Sequence, residues 1–266
     1  MNNIAQMLAL MDINEYPQAC AYLQAVISGQ QNPITAMEIA STLMLCDKPK
    51  SFPWYLVVYI QELYEAEIEK GNADAMNDLG SCYYSGDRGF EQDFGKAVHY
   101  YTMAADNGSW QARENLGYCY YYGRDMDVDY EKAFHCFAPG AFNGHLISLY
   151  KIGDMYANGY YVKKSPQDAF LIYQRCLNMM DQNASKSVGG PVHLRLGNMY
   201  LNGIGTERNP EQAMWHYHAA EYFLYNMVKD GDVMYKKSLH DAIEGQAKAR
   251  AVIAENLPLG EWTFDD

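Results

Sequence analysis

The sequence of 266 residues predicts an all-α fold, a solenoid built from consecutive helix pairs. The main observation is a repeated pattern in which an apolar residue and a glycine are followed, six residues after that glycine, by a second glycine. The first glycines of the four copies are Gly80, Gly117, Gly153 and Gly197, spaced 37, 36 and 44 residues apart. Each is followed 16 or 17 positions later by an alanine, and four residues beyond that by an aromatic residue. Two helices and their turns fit this period.

The first helix of each repeat contains the first glycine. In the first copy, Ala75, Leu79 and Tyr83 lie four residues apart and therefore form one apolar stripe. A glycine within such a stripe is expected where a neighbouring helix must come close. The second glycines occupy the position that ends a helix with a left-handed residue, and they are Gly86, Gly123, Gly159 and Gly203.

The second helix begins after a capping residue in every copy, and the caps are Asp93, Asp129, Ser165 and Asn209. The inner stripe of this helix combines small residues with one aromatic residue, which we expect to fill the gap to the next repeat. The aromatic residues are Tyr101, Phe137, Tyr173 and Tyr217. Two irregularities stand out. Pro139-Gly140 predicts a kinked or shortened helix in the second copy. Asp181 to Pro191 predicts a longer loop on one rim, either a tolerated insertion or a partner contact.

The residues of the first copy resemble the Sel1-like repeat family, which is related to the tetratricopeptide repeat. The resemblance rests on residues 71–80, with Ala75, Leu79 and Gly80, and on residues 96–108, with Lys96-Ala97, Tyr100-Tyr101, Ala104-Ala105 and Gly108. It covers about residues 66–221 and implies a right-handed α/α superhelix used for protein–protein contact. We therefore predict a helical N-terminal cap of degenerate repeats over residues 1–65, four repeats over 66–221, and a C-terminal capping helix and tail over 222–266. A separate N-terminal specificity domain is the alternative for residues 1–65.

Charge and composition restrict the kind of partner. The formal net charge of −13 disfavours nucleic acid and anionic membrane surfaces, and it is compatible with a basic protein partner. Neither a secretory signal nor a membrane-length apolar run is visible, so we predict a cytoplasmic protein. The six cysteines show no metal-type spacing, which favours buried thiols. A secreted protein with disulfide bonds is the alternative.

No known catalytic or cofactor motif occurs in the sequence, so we predict no enzyme activity, no cofactor and no metal. The pair His216 and His218 would project about 200° apart on a helix and would not share a metal. The acidic run Asp125 to Asp129 lacks the glycine and glutamate of a calcium loop and is predicted to be a charged turn.

In helix-pair repeats of this kind the first helix lines the concave surface. The positions of that helix outside the apolar stripe are therefore predicted to bind a protein partner in a tyrosine-rich, acidic groove. These residues are Asn77, Ser81, Tyr84, Glu114, Tyr118, Tyr121, Tyr150, Asp154 and Asn198, with Ala157, Leu194 and Leu201 as apolar neighbours. The predicted function is that of an adaptor or scaffold. One alternative is an immunity protein that neutralises a basic toxin, and another is an enzyme or ligand-binding protein that uses the groove as a pocket.

Overall fold

A computed structural model describes residue 61 and residues 64–86, 90–180 and 185–256. The chain divides into two compact units, Met1–Asp129 and Tyr130–Asp266. Across the described ranges the secondary structure is helical, without a β-strand. The predicted all-α fold is therefore confirmed, and residues 1–60, which hold most of the predicted N-terminal cap, lie outside the described part.

The described residues of the first unit contain three complete helices after a helical stretch at residues 64–68. They are α1 (Ala73–Ser85), α2 (Phe94–Asp106) and α3 (Trp110–Tyr122). Helix α2 packs against both α1 and α3, so the helices follow one another in consecutive pairs.

The second unit continues the same pattern with longer helices toward its end. Its helices are α4 (Tyr130–Phe142), α5 (Leu146–Asn158), α6 (Pro166–Met179), α7 (Ser185–Asn202), α8 (Pro210–Lys229) and α9 (Lys236–Asn256). A 3₁₀ turn, Val233–Tyr235, precedes α9. Each helix packs on the next along the chain, and α9 covers parts of both α7 and α8.

The predicted helix ends are present in the structure. The side chains of Asp93, Ser165 and Asn209 accept hydrogen bonds from backbone N–H groups in the first turns of α2, α6 and α8. The second glycines all have left-handed backbone, with φ between 63° and 78°. These caps satisfy backbone groups that would otherwise lack partners at the helix ends.

The first glycines allow an aromatic ring of the second helix to pack directly on the first helix. A Cβ atom on Gly80 would lie 2.8 Å from the ring of Tyr101, and one on Gly153 would lie 2.6 Å from the ring of Tyr173. The aromatic residue thus packs on the glycine of its own repeat, which the sequence analysis did not predict. For Tyr217 the structure also shows a contact with the following helix, because its ring lies against Gly245 of α9.

Two local predictions are corrected. Helix α4 runs through Pro139 and is 13 residues long, the same length as α2, so the proline does not shorten it, and the predicted kink stays a prediction. The predicted rim loop is largely helical, because α7 begins at Ser185 and includes Pro191. Residues 188–192 of α7 are buried, and Gly189 and Gly190 leave room there for Phe223 and Leu224 of α8.

Three cysteine side chains, Cys82, Cys119 and Cys176, are buried within the helix pairs. Burial raises the pKa of the Cys176 thiol to about 12, so this group stays protonated at neutral pH. The prediction of buried thiols is confirmed for these residues, whereas Cys20 and Cys46 lie outside the described part.

We expect Gly153→Ala to destabilise the protein by about 1–3 kcal/mol, because the new methyl group would collide with the buried ring of Tyr173. The better helix propensity of alanine offsets only about 1 kcal/mol of that loss. Urea unfolding followed by circular dichroism measures the difference. The matched control is Asn178→Ala, an exposed position on α6 where the same propensity gain meets no ring. A Gly153→Ala variant at least as stable as the wild type would contradict this packing.

Candidate protein-interaction surface

The residues predicted to bind a partner lie on α1, α3, α5 and α7, but they differ widely in exposure. Those that keep solvent-accessible surface are Ser81, Tyr84, Tyr118, Tyr121 and Asn198. Those that are buried, at 9% exposure or less, are Asn77, Glu114, Tyr150 and Asp154. The apolar neighbours Leu194 and Leu201 are also buried. The expectation that the whole set faces outward is therefore wrong for the buried residues.

A hydrogen bond next to the first glycine recurs in three of the copies, and for Asp154 it joins a buried side chain to the core. The hydroxyl of Tyr173 donates to Asp154 Oδ1 at 2.7 Å, and that of Tyr217 donates to Asn198 Oδ1 at 2.7 Å. In the first copy the hydroxyl of Tyr101 lies 3.2 Å from Ser81 Oγ. The residue after the glycine thus pairs with the tyrosine that packs on the glycine, which satisfies a buried hydroxyl.

The second copy departs from this arrangement in its sequence. Its aromatic residue is Phe137, which has no hydroxyl, and the residue after its glycine is Tyr118. A tyrosine replaces the small or acidic acceptor in the copy where no acceptor is needed. Position 118 is therefore the one of the four that this hydrogen bond does not constrain.

Asp154 is the centre of a buried charge cluster in the second unit. The Arg195 guanidinium donates two hydrogen bonds to its carboxylate, one of them from Nη2 at 2.7 Å, and Lys151 Nζ lies 3.7 Å away. Tyr150 places its ring 5.2 Å from both cations. Tyr150 and Asp154 are thus parts of a buried network, and Arg195, which the sequence analysis did not select, completes it.

The cluster changes the protonation of its members. Burial opposes ionisation of Asp154, but the charge of Arg195 and its hydrogen bonds, with the charge of Lys151, outweigh it, so the pKa of Asp154 lies below its ordinary value. Burial also lowers the pKa of Lys151 to about 8. At neutral pH the carboxylate is ionised and holds two cations.

In the first unit, tyrosine side chains of α1 and α3 form an aromatic surface, defined here by Tyr84, Tyr118, Tyr121 and Tyr122. The ring of Tyr122 stacks on Tyr118 at 6.1 Å and meets Tyr121 edge-on at 4.9 Å. Tyr122, which was not predicted, is 47% exposed. Rigid, partly exposed aromatic side chains of this kind are typical anchors of protein interfaces.

Arg124 links the two helices of the aromatic surface. Its guanidinium carbon lies 6.0 Å from the ring centre of Tyr84 and 5.8 Å from that of Tyr122. Burial raises the pKa of Tyr84, and the neighbouring Arg124 opposes that shift only in part. Sequence reasoning missed Arg124, although its place directly after Gly123, beside a run of tyrosines, was a usable signal.

A second contact between these helices is made by two asparagine side chains, since Asn115 Nδ2 donates to Asn77 Oδ1 at 2.9 Å. This bond joins α3 to α1 and explains why Asn77 is largely buried. Glu114 is buried to 2% exposure on α3. Both residues therefore belong to the packing between helices more than to an exposed surface.

A histidine pair lies between α7 and α8. The Nδ1 atoms of His193 and His216 are 2.9 Å apart, so one ring donates to the other, and both side chains are buried. Burial lowers the pKa of both to about 4, and for His216 the neighbouring His193 adds to the effect. His218 is exposed on the other side of α8, so His216 and His218 do not converge, as predicted.

Among the described residues, no group of three or more His, Cys, Asp or Glu side chains is arranged to hold a metal ion. Their helices also include none with the length and apolar character needed to span a bilayer.

Comparison with known proteins gives a consistent result. A model of the Sel1 repeat matches four segments that together make up half of the chain, residues 73–109, 110–145, 146–175 and 192–221. The chain is 36% identical over 109 residues to the ERAD-associated E3 ubiquitin-protein ligase component HRD3B of Arabidopsis thaliana, covering 41% of this chain and 17% of that protein. It is 32% identical over 130 residues to protein sel-1 homolog 2 of Mus musculus, covering 49% of this chain and 19% of that protein. The chain therefore spans less than a fifth of the length of these two relatives.

Solved structures show the same fold. A Sel1 repeat protein from Oxalobacter formigenes aligns with a TM-score of 0.62 at 20% sequence identity, covering 94% of this chain and 97% of that one. A protective antigen of uropathogenic Escherichia coli with an SLR fold aligns with a TM-score of 0.51 at 17% identity, covering 94% of this chain and 56% of that one. At these identities the likeness concerns the fold.

We expect Asp154→Asn to destabilise the protein by about 3 kcal/mol, because the substitution leaves the buried cation of Lys151 and the half-buried cation of Arg195 without their carboxylate. Urea unfolding at neutral pH measures the loss. Asp168→Asn, an exposed acid in the first turn of α6, is the control and should cost about 0.5 kcal/mol. Similar losses for the two variants would show that the cluster contributes no more than a surface charge.

The histidine pair predicts a loss of stability in mild acid. Above the ordinary histidine pKa of 6.5 both rings are neutral in the folded and unfolded states. As the pH falls from 6.5 toward 4, the unfolded chain binds protons that the folded protein does not, so the free energy of unfolding decreases. In urea unfolding across this range we expect a smaller decrease for His216→Leu than for the wild type. The exposed His218→Gln variant should follow the wild type, and an unchanged pH dependence in His216→Leu would refute the assignment.

Proposed function

The chain belongs to the Sel1 repeat family, a family of protein-interaction modules. We propose that it is a non-catalytic adaptor or scaffold, and that it binds a protein partner through the first helix of each repeat. The aromatic surface of α1 and α3 is the observation that carries this proposal. It presents several tyrosine rings that are held rigidly by one another and by Arg124, and one of them is 47% exposed. Preorganised aromatic side chains lose little conformational entropy on binding.

The proposed binding set is narrower than the one predicted from sequence. Ser81, Tyr84, Tyr118, Tyr121 and Asn198 keep accessible surface and are proposed contact residues. Asn77, Glu114, Tyr150 and Asp154 would act indirectly, by fixing the helices that carry the contacts. We further propose that residues 66–221 are the repeat region, that residues 222–266 cap it, and that residues 1–65 cap the other end.

The named relatives and the charge of the chain also favour a role in binding other proteins. The Arabidopsis relative is named as a component of an E3 ubiquitin-protein ligase, which is a role within a complex of proteins. The net charge of −13 favours a basic partner, since opposite charge speeds encounter. Buried thiols such as Cys82 and Cys176 suit a reducing compartment, so we place the protein in the cytoplasm.

The test compares partner capture by the wild type and by the double variant Tyr118→Ala, Tyr121→Ala in a lysate of the organism that encodes the chain. Loss of a tyrosine anchor typically costs about 2 kcal/mol, which corresponds to a roughly 30-fold weaker complex. A captured protein should therefore be retained by the wild type and lost by this variant. Affinity is then measured by calorimetry with the purified partner.

The matched control is Tyr222→Ala, Tyr225→Ala, which removes two tyrosines that are more than half exposed on α8, outside the proposed surface. This variant should bind like the wild type, and circular dichroism checks that all variants are folded. Equal binding by both double variants would remove the aromatic surface from the proposal, and failure of every form to bind any protein would count against the adaptor function.

A further inference from the structure

A polar cavity of about 270 Å³ lies in the second unit, where α9 meets the C-terminal part of α7 and Tyr217 of α8. Its wall includes Asn198 and Tyr217, together with Asp241, Glu244 and Lys248 of α9. Asn198 is also the residue of the proposed contact set nearest the C-terminal end of the repeats. The cavity therefore includes one of the proposed contact residues in its wall.

Tyr217 contributes a fixed polar group to this cavity. Its ring is 1% exposed and lies between Gly197 of α7 and Gly245 of α9, since neither glycine has a Cβ atom to push it away. Its hydroxyl donates to Asn198 Oδ1, so the hydroxyl oxygen keeps lone pairs that can accept a hydrogen bond. Burial raises the pKa of Tyr217 to about 12, so the group stays neutral at physiological pH.

The charged groups of the wall are mainly acceptors. Asp241 and Glu244 lie one helical turn apart on α9, and both are exposed to solvent. The single cation of the wall, Lys248, has its Nζ atom 3.3 Å from Glu244 Oε2, and His240 Nε2 lies 3.2 Å from Glu244 Oε1. The cavity thus offers carboxylate, amide and hydroxyl oxygens, and its only permanent positive charge is already paired.

We propose that this cavity binds an arginine side chain of the protein partner. A guanidinium group carries five N–H donors in a planar fork and no acceptor, which complements a cavity lined by several oxygen atoms. Two carboxylates against one lysine leave the wall with an excess negative charge, in keeping with the acidic chain. This inference rests on the proposed function and adds the chemistry of one anchor residue of the partner.

The direct test uses N-acetylarginine amide as the probe and the full chain labelled with ¹⁵N. We expect saturable chemical-shift changes at the Gly245 backbone amide and at the Asn198 side-chain amide, with affinity in the millimolar range. The neutral analogue N-acetylcitrulline amide should cause no saturable change, because it lacks the positive charge. Absence of saturable shifts with the arginine probe, or equal shifts with both probes, would overturn the proposal.

Variants of the wall make the test specific. Asp241→Asn with Glu244→Gln should weaken probe binding about tenfold, because both charge-assisted hydrogen bonds are lost. Lys248→Gln should strengthen it about twofold, since a competing cation is removed. Glu255→Gln, an exposed acid near the end of the same helix and outside the cavity, is the matched control and should change nothing. Equal weakening by Glu255→Gln would indicate a general charge effect and refute a specific cavity.

The same variants separate this inference from the proposed function. If Tyr118→Ala, Tyr121→Ala abolishes partner capture while the cavity variants neither bind the probe differently nor affect capture, the adaptor function stands and the arginine site fails. If the probe binds the cavity as expected but no partner depends on the aromatic surface, the adaptor proposal fails by itself.

Discussion

The contact between the ring of a second-helix tyrosine and the glycine of the facing first helix determines how closely the helices of a repeat approach. Without a Cβ atom on Gly153, the ring of Tyr173 lies directly on the backbone of α5. Its hydroxyl then needs a partner in the core, and the residue that follows the glycine provides one. The glycine, the tyrosine and the acceptor therefore form one unit of packing, and the surrounding side chains are arranged around it.

This constraint also shapes the surface available for binding. In three repeats the side chain after the glycine accepts a hydrogen bond from the tyrosine hydroxyl, so one of its hydrogen bonds is used within the fold. In the second repeat the aromatic residue is Phe137, and Tyr118 stands at that position beside Tyr122. The aromatic surface therefore develops where the structural demand for an acceptor is absent.

Helix α9 makes the same kind of contact between a tyrosine ring and a glycine. Tyr217 makes the usual contact with Gly197 and a second contact with Gly245, so α9 is seated on the tyrosine that holds the preceding pair together. Helix α9 thereby adds Asp241 and Glu244 beside Asn198. Covering the core and building a polar cavity are two results of one close approach.

The sequence by itself determined the helix pairs, their caps and the all-α fold, because glycine spacing, N-cap residues and left-handed C-caps are local signals that recur four times. It also placed Tyr84, Tyr118 and Tyr121 outside the apolar stripe of their helices, and these side chains keep accessible surface. Only the tertiary structure decided which registered side chains remain accessible. Burial of Asp154 depends on Arg195, 41 residues away, and the pairing of His193 with His216 depends on contact between two helices. The periodicity of apolar residues cannot predict such partners. It indicates which face of a helix is buried, but it does not indicate which residue of another helix packs against that face.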